Sequence, residues 1–404
     1  MISIDRALEI VTSVATQHAG PDWMAPEAVP LTQACHRILR ENVVSDADSP
    51  PFDKAIRDGF AVRHEDVREV PVTLKVVAES RAGLAAGVGI AAGECCEIMT
   101  GAPLPEGATA VVMVENSRRE SPDAVQILKK VKENEGLLRR AAEARKGDVL
   151  LESGRHIGLA DIGLLATCGK ANVLVSKRPR VAIVATGDEL VEVEQTPAHG
   201  QIRNSNGYTL FAQCSLAGAE PAMLGIGRDN LDDLRAKVRE GLEYDVLLVS
   251  GGVSMGKYDL VENVFAEFGV ETFFDKVAMK PGKPTVFGFR AGTFVFGLPG
   301  NPLSTLVAFH MFVRPVLRTL LKAADARSTM PEAVVDSPAK CDPERAALVP
   351  ATVRLQSGCY RIATIPWKGS SDLAGLSRAN ALIFVPQREG ILQPGELTKF
   401  VPME

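Results

Sequence analysis

The stretch 245–259, DVLLVSGGVSMGKYD, combines the residue types that a phosphate or oxyanion site requires. Val246–Val249 is a short apolar run, Gly251-Gly252 interrupts it, and an amphipathic run begins near Tyr258. That pattern predicts a buried strand, a tight turn and a helix start. Glycines let the backbone come close to a ligand, and the unpaired N–H groups of a helix start favour an anion. Gly251 to Lys257 also has the spacing of a nucleotide P-loop. The P-loop reading fails at the next residue, because Tyr258 stands where Ser or Thr must bring a hydroxyl to Mg2+.

The elements around this stretch predict where its ligand would lie. Strands and helices alternate from Arg180 to Leu320, which implies a largely parallel sheet with helices on both faces. Ligands of such sheets lie beyond the carboxyl ends of the strands. The loops expected there are Thr186-Gly187-Asp188-Glu189, Gly227-Arg228-Asp229, Ser250 to Asp259, Lys280-Pro281-Gly282-Lys283-Pro284, and Leu298-Pro299-Gly300-Asn301-Pro302 with Ser304. Glu189, Asp229 and Asp259 could share a hard cation such as Mg2+. Lys280 and Lys283, flanked by prolines and a glycine, form a dibasic anion clamp.

Outside this region the texture changes. Residues 4–18 carry apolar side chains on one face at helical spacing, with Ser3 or Asp5 as caps. The turn in Ser49–Val62, SPPFDKAIRDGFAV, brings Asp53, Lys54, Arg57 and Asp58 close together. Residues 70–150 read as an all-β module with Thr100 in the turn MTGAPLP, and residues from Ala324 onward as a small β-barrel or sandwich. Gly369-Ser370-Ser371-Asp372 is a polar loop of that tail. At 404 residues the chain has room for two to four domains. Its net charge of −5 and the absence of a long Lys/Arg block give no sign of a nucleic-acid surface. No long apolar run or cleavage signal occurs, so the expected location is cytoplasmic, away from membranes. Seven cysteines without C-x-x-C spacing argue against a disulfide framework or zinc site, and Cys95-Cys96 reads as buried and reduced.

TGDEL (186–190), GQIRNSNGYTL (200–210), SGGVSMG (250–256), KVAMKPGKP (276–284), FGLPGNPLS (296–304), PPFD (50–53), DGFAV (58–62), MTGAPLP (99–105) and RANALIFVP (378–386) together resemble the MoeA and gephyrin E-domain family. The motifs occur in family order over nearly the whole chain. The resemblance implies a multidomain α/β plus β fold: a molybdopterin-binding three-layer α/β domain (1–26 and 178–325), a linker and dimerisation domain (27–46 and 147–177), a β-rich lid over the partner's cleft (47–146) and a C-terminal β-barrel (326–404). It implies a molybdenum insertase that acts on adenylylated molybdopterin and molybdate with Mg2+ and releases AMP. A homodimer is implied too, supplied by a molybdopterin adenylyltransferase and feeding molybdoenzymes or their chaperones.

Carried over residue by residue, Glu189, Asp229 and Asp259 are the acidic cleft residues, with Glu189 and Asp259 the metal ligands. Gly252 and Ser254 match the pterin-phosphate loop, and Gly187, Asp188, Ser250, Gly251, Pro299 and Pro302 are further cofactor-binding positions. Lys280, Lys283, Pro284 and Ser304 match the molybdate side, with Ser370 or Ser371 as a hydroxyl from the tail. Asp58 and Thr100 match positions offered by the other subunit. Family members usually read PPFDNSAMDGYA, where this chain has Lys54, Ala55, Ile56, Arg57 and Phe60. Ala144 replaces an acid, and so does Lys257. These departures keep two alternatives open: a diverged paralogue that binds molybdopterin or another oxyanion without ordinary insertase activity, and a non-catalytic scaffold.

Overall fold

Every residue of the strand Arg180–Thr186 (β1) after the first is buried, as a central strand covered on both faces requires. The computed structural model describes residues 1–19, 25–83, 87–252, 260–326 and 330–403. These divide into two compact units, 1–40 with 153–158 and 172–404, and 41–152 with 159–171.

In the first unit β1 joins β2 (Glu220–Gly227), β3 (Val246–Ser250), β4 (Glu271–Phe274), β5 (Val286–Arg290) and β6 (Thr293–Leu298) in the order β2-β1-β3-β6-β5-β4. The first four strands of that order are parallel, and β5 alone runs the other way, antiparallel to both β6 and β4. Successive β1 residues face opposite ways. Val181 and Ile183 enter one core with the helices Ile4–His18 (α1) and Ser205–Leu216 (α2). Ala182 and Val184 enter a second core with Leu231–Gly241 (α3) and Val261–Glu267 (α4). The helices Pro302–Ala308 (α5) and Arg314–Leu320 (α6), joined by a π turn at Phe309–Val313, complete the first layer. This is the expected three-layer arrangement.

Its topology localises a crevice. From β1 the chain crosses to β2 on one side and then to β3 on the other, so the strand order reverses between β1 and β3. A reversal of this kind opens a cleft at the carboxyl ends. The register aligns those ends: Thr186 lies opposite Gly227, Ala185 opposite Ser250, and Ser250 opposite Leu298.

The tail closes into a barrel of Glu332–Val335, Ala346–Gln356, Cys359–Thr364, Ala381–Val385 and Leu397–Pro402. One of its faces, through Ala346, Leu348, Leu382 and Val401, shares the first core of the α/β domain. In the second unit a six-stranded sheet runs Ala110–Met113, Gly59–Val62, Glu94–Ile98, Val72–Ser80, Ala124–Ile127, Ser117–Ser121. Phe60, Val62 and Cys95 pack on one face of it, and Ala61, Cys96 and Ile98 on the other. Burial pushes the Cys95 thiol up to about 12 and the Cys96 thiol to about 11, which leaves both protonated and unreactive at neutral pH. Among the described residues no helix is long and apolar enough to cross a membrane.

Two local expectations change. The amphipathic run expected to begin near Tyr258 forms a helix from Val261, and residues 253–259 lie outside the described set. The helix that the apolar spacing predicts over Leu303–Leu320 forms as two α-helical parts joined by the π turn. Phe296 is fully buried and its ring stands 4.8 Å from that of Phe287. Replacing it with alanine removes a side chain that the close-packed sheet cannot refill. Phe296→Ala is expected to destabilise the α/β domain by about 3–5 kcal/mol, measured as a lowered denaturation midpoint in urea.

Candidate functional site

At the carboxyl end of the parallel strands three loops meet, and Gly251 permits the tightest of their contacts. A Cβ on Gly251, at φ +104°, would stand 2.6 Å from the carbonyl oxygen of Thr186. A Cβ on Gly300 would stand 3.7 Å from the Cα of Gly251. The turns after β1, β3 and β6 therefore touch through backbone. Gly251 N–H donates to the Leu298 carbonyl at 2.9 Å, and Gly187 N–H donates to the Gly227 carbonyl at 3.1 Å. These two amides hold the loops together and are not turned to a ligand. The N–H of Gly252 has no acceptor among the described residues.

Ser250 is buried, and its hydroxyl accepts from Asn206 Nδ2 at 3.0 Å. The same Nδ2 donates to the Gly300 carbonyl at 2.7 Å. Asn206 lies within the motif GQIRNSNGYTL, but its side chain was not among the candidates. Nothing in its spacing signals that it reaches two other loops. Pro302 sits at the first turn of α5, where a missing N–H costs nothing. The Pro299 carbonyl accepts from Thr305 Oγ1 at 2.5 Å. Ser304 is buried within α5. The first amide after Pro302, that of Leu303, donates to the Ser370 carbonyl at 3.0 Å, so the tail loop contributes backbone here while Ser371 remains exposed.

The acids form a second cluster beside this junction. Asp188 N–H donates to Asp229 Oδ2 at 3.4 Å, and Asp229 N–H returns to Asp188 Oδ1 at 3.2 Å. Glu189 folds back over Gly187, where a Cβ would meet its Oε2 at 2.5 Å. Arg228, also missed in the sequence, ties the loop by donating to the carbonyls of Asp188 and Leu190 at 3.3 and 3.1 Å. Desolvation pushes the Asp229 carboxyl above the usual range, and the charges of Asp188 and Glu189 add to that push against the opposing Asp188 amide. Among the described residues no three acidic, histidine or cysteine side chains converge to enclose a metal ion. Asp259, Ser254 and Lys257 lie outside the described residues.

The lysine loop follows β4, which runs in the same direction as β1, β3 and β6 because β5 is antiparallel to both of its neighbours. Met279–Lys280 pairs in parallel with Ala346-Ala347 of the barrel, between the antiparallel β4 and β5. The Lys280 ammonium lies 3.7 Å from Asp342, at the edge of a cleft of about 650 Å³ that Lys340, Thr364 and Trp367 also line. Thr285 closes the loop by donating to the Gly282 carbonyl at 2.7 Å. Lys283 and Pro284 sit on that turn, with Lys283 exposed.

In the other unit, Asp58 Oδ1 accepts from both the N–H and the hydroxyl of Thr100, at 2.7 and 2.8 Å, which holds its carboxyl below the ordinary value. Gly59 is obligatory beside it, since a Cβ there would stand 1.9 Å from the Val112 carbonyl oxygen. The charges near Asp58 do not form the single cluster expected. Asp53 takes Arg139 and the Arg140 amide, Lys54 pairs with Glu143 at 3.6 Å, and Arg57 is exposed. Alternating turns send each to a different neighbour.

Residues 2–169 match the MoeA N-terminal region (domain I and II), 182–319 the probable molybdopterin binding domain, and 332–403 the MoeA C-terminal region (domain IV). The molybdopterin molybdenumtransferase of Bacillus subtilis (strain 168) is 34% identical over 393 residues, covering 95% of this chain and 90% of that protein. The chain belongs to the MoeA family. That of Nostoc sp. (strain PCC 7120 / SAG 25.82 / UTEX 2576) is 37% identical over 380 residues, covering 92% and 87%. Among solved structures, the molybdopterin biosynthesis MoeA protein of Pyrococcus horikoshii OT3 superposes over 100% of both chains with a TM-score of 0.82 at 26% identity. This MoeA-family chain therefore has the expected α/β scaffold.

The raised Asp229 carboxyl has a stability consequence. The folded chain holds that proton more tightly than the unfolded chain, so its contribution is intact below the unfolded value of about 3.9 and is lost as pH rises through the folded value. Asp229→Asn is expected to raise the melting temperature at pH 7 relative to the parent, with the gap closing towards pH 3. A variant that melts lower at pH 7 would contradict this reading of the acid cluster.

Proposed function

We propose that this chain is a molybdopterin molybdenumtransferase. It hydrolyses adenylylated molybdopterin with Mg2+, releases AMP and inserts molybdate to give the molybdenum cofactor. The observation that carries the reading is the junction at the strand reversal, where three glycine-bearing loops meet beside Asp188, Glu189 and Asp229. An anionic nucleotide-linked substrate and a divalent cation fit that pairing of close backbone and carboxylates.

Mg2+ is ordinarily held by one or two carboxylates completed by substrate phosphates and water. The donor set of the cleft fits this pattern better than an all-protein cage, with Glu189 and, by family resemblance, Asp259 as its ligands. When bound, the ion would draw negative charge from the phosphates of the scissile anhydride. Gly252 N–H donates to a phosphate oxygen, as Ser254 does by resemblance. Asp229, with its carboxyl pushed up, is fitted to take the proton from the attacking water. Cleavage of the phosphoanhydride by one water then leaves AMP and the pterin phosphate. Lys280 and Lys283 attract molybdate, with Ser304 and Ser371 as hydroxyls on that side. In a homodimer the Asp58–Thr100 pair of one subunit would face the cleft of its partner. A separate adenylyltransferase would supply the substrate, molybdoenzymes or their chaperones would accept the product, and the setting would be cytoplasmic.

A second reading, a diverged paralogue, draws on one observation. Lys54 turns its charge to Glu143, beside Ala144, where the family pattern has an acid and no lysine. The test is AMP release from adenylylated molybdopterin with Mg2+, with and without molybdate or tungstate. Molybdate-stimulated release is expected. Release without metal transfer would favour the paralogue, and no release under any condition would overturn the enzymatic reading. Glu189→Gln is expected to lower Mg2+-dependent release about 10- to 100-fold without changing the melting temperature by more than a few degrees.

A further inference from the structure

We infer that Asn206 is a positioning residue of this site. Its amide staples the turn after β3 to the turn after β6. The inference rests on the functional reading above only for its kinetic arm.

Three facts carry it. Asn206 stands in the first turn of α2, the helix that follows the β1 loops, so it belongs to neither loop it binds. Its Nδ2 reaches Ser250 Oγ at 3.0 Å and the Gly300 carbonyl at 2.7 Å, one hydrogen for each. A carbonyl can only accept, so the amide nitrogen must face Gly300 and the orientation of the side chain is determined. Its Oδ1 is consequently buried and has no protein partner among the described residues. A buried acceptor left unpaired is unfavourable, and a serine or alanine would avoid it. The chain retains an asparagine where only its two-hydrogen fork is used, as expected when relative loop placement matters more than local stability.

The staple acts on the residues that follow. Ser250 is the last residue of β3 and Gly251 the next. Gly251 N–H in turn donates to Leu298, two residues before Gly300. Asn206, Ser250, Gly251, Leu298 and Gly300 thus form one hydrogen-bonded ring across the β3 and β6 ends. Without the amide, Gly251 and Gly252 lose their fixed distance from the Pro299–Asn301 turn. Misplacement of reacting groups by about an ångström can cost a hundredfold in rate.

The test uses the full-length protein with Asn206→Ala and Asn206→Asp. Peptide-level hydrogen exchange over 246–252 and 298–303 is expected to speed up at least tenfold at pH 8 in both variants, while exchange in the barrel peptide 381–385 stays at the parent rate. The two variants separate as pH falls. The carboxyl of Asn206→Asp regains one O–H donor on protonation, so its exchange rate approaches that of the parent near pH 4, whereas Asn206→Ala does not recover. In the kinetic arm kcat for AMP release falls at least tenfold in both variants at pH 8, with KM changed less. Parent-like exchange in both loops at pH 8, or the same pH response in the two variants, would overturn the staple. If the parent itself releases no AMP, the functional reading fails and the exchange arm still decides the role of Asn206. Should Asn206→Asp fail to fold, Ser250→Ala, which removes one of the two acceptors, is expected to give a smaller but measurable acceleration in the same peptides; its absence would likewise overturn the staple.

Discussion

The site depends on a contact too close for any side chain. At φ +104° a Cβ on Gly251 would lie 2.6 Å from the Thr186 carbonyl, so the turns after the first and third strands can meet only if that residue is glycine. The parallel register puts them in that position, with Ala185 opposite Ser250 and Ser250 opposite Leu298. Everything nearby follows from those two constraints. The Gly300 turn can close on Gly251, Asn206 can reach both, and the acids of the first two loops are brought side by side at one edge of the crevice.

A rigid scaffold sustains an unfavourable local arrangement. Burial pushes the Asp229 carboxyl up, and the neighbouring charges of Asp188 and Glu189 add to that push. A buried oxygen of Asn206 has no donor among the described residues. Cores on both faces of the sheet, built from alternate residues of the same strands, supply the stability that these features reduce. Clustered local conflicts inside a consistent fold are where function is expected. In the other unit the Asp58–Thr100 pair shows the opposite case, a carboxylate whose charge is stabilised by two donors.

Much of this was legible in the sequence because it depends on period and punctuation. The opening helix, the parallel strands, the glycine turns and the β character of the tail follow from apolar spacing and turn residues. What escaped was long-range pairing. Nothing in KPGKP shows that Met279–Lys280 pairs with Ala346-Ala347, more than sixty residues on. Asn206 and Arg228 act through side chains that span loops remote in sequence, which spacing cannot reveal. The charges of 53–58 were adjacent in sequence, yet the turn and strand geometry sent Asp53, Lys54 and Asp58 to Arg139, Glu143 and Thr100. The Asp58–Thr100 bond itself was invisible, although both residues were singled out.

The most direct test of the central claim is a crystal structure of the protein with adenylylated molybdopterin, grown without Mg2+ to prevent turnover. The account predicts the phosphates at the carboxyl ends of the first and third strands, against Gly252 and within reach of Glu189 and Asp229. Phosphates bound elsewhere, with that crevice empty, would contradict it.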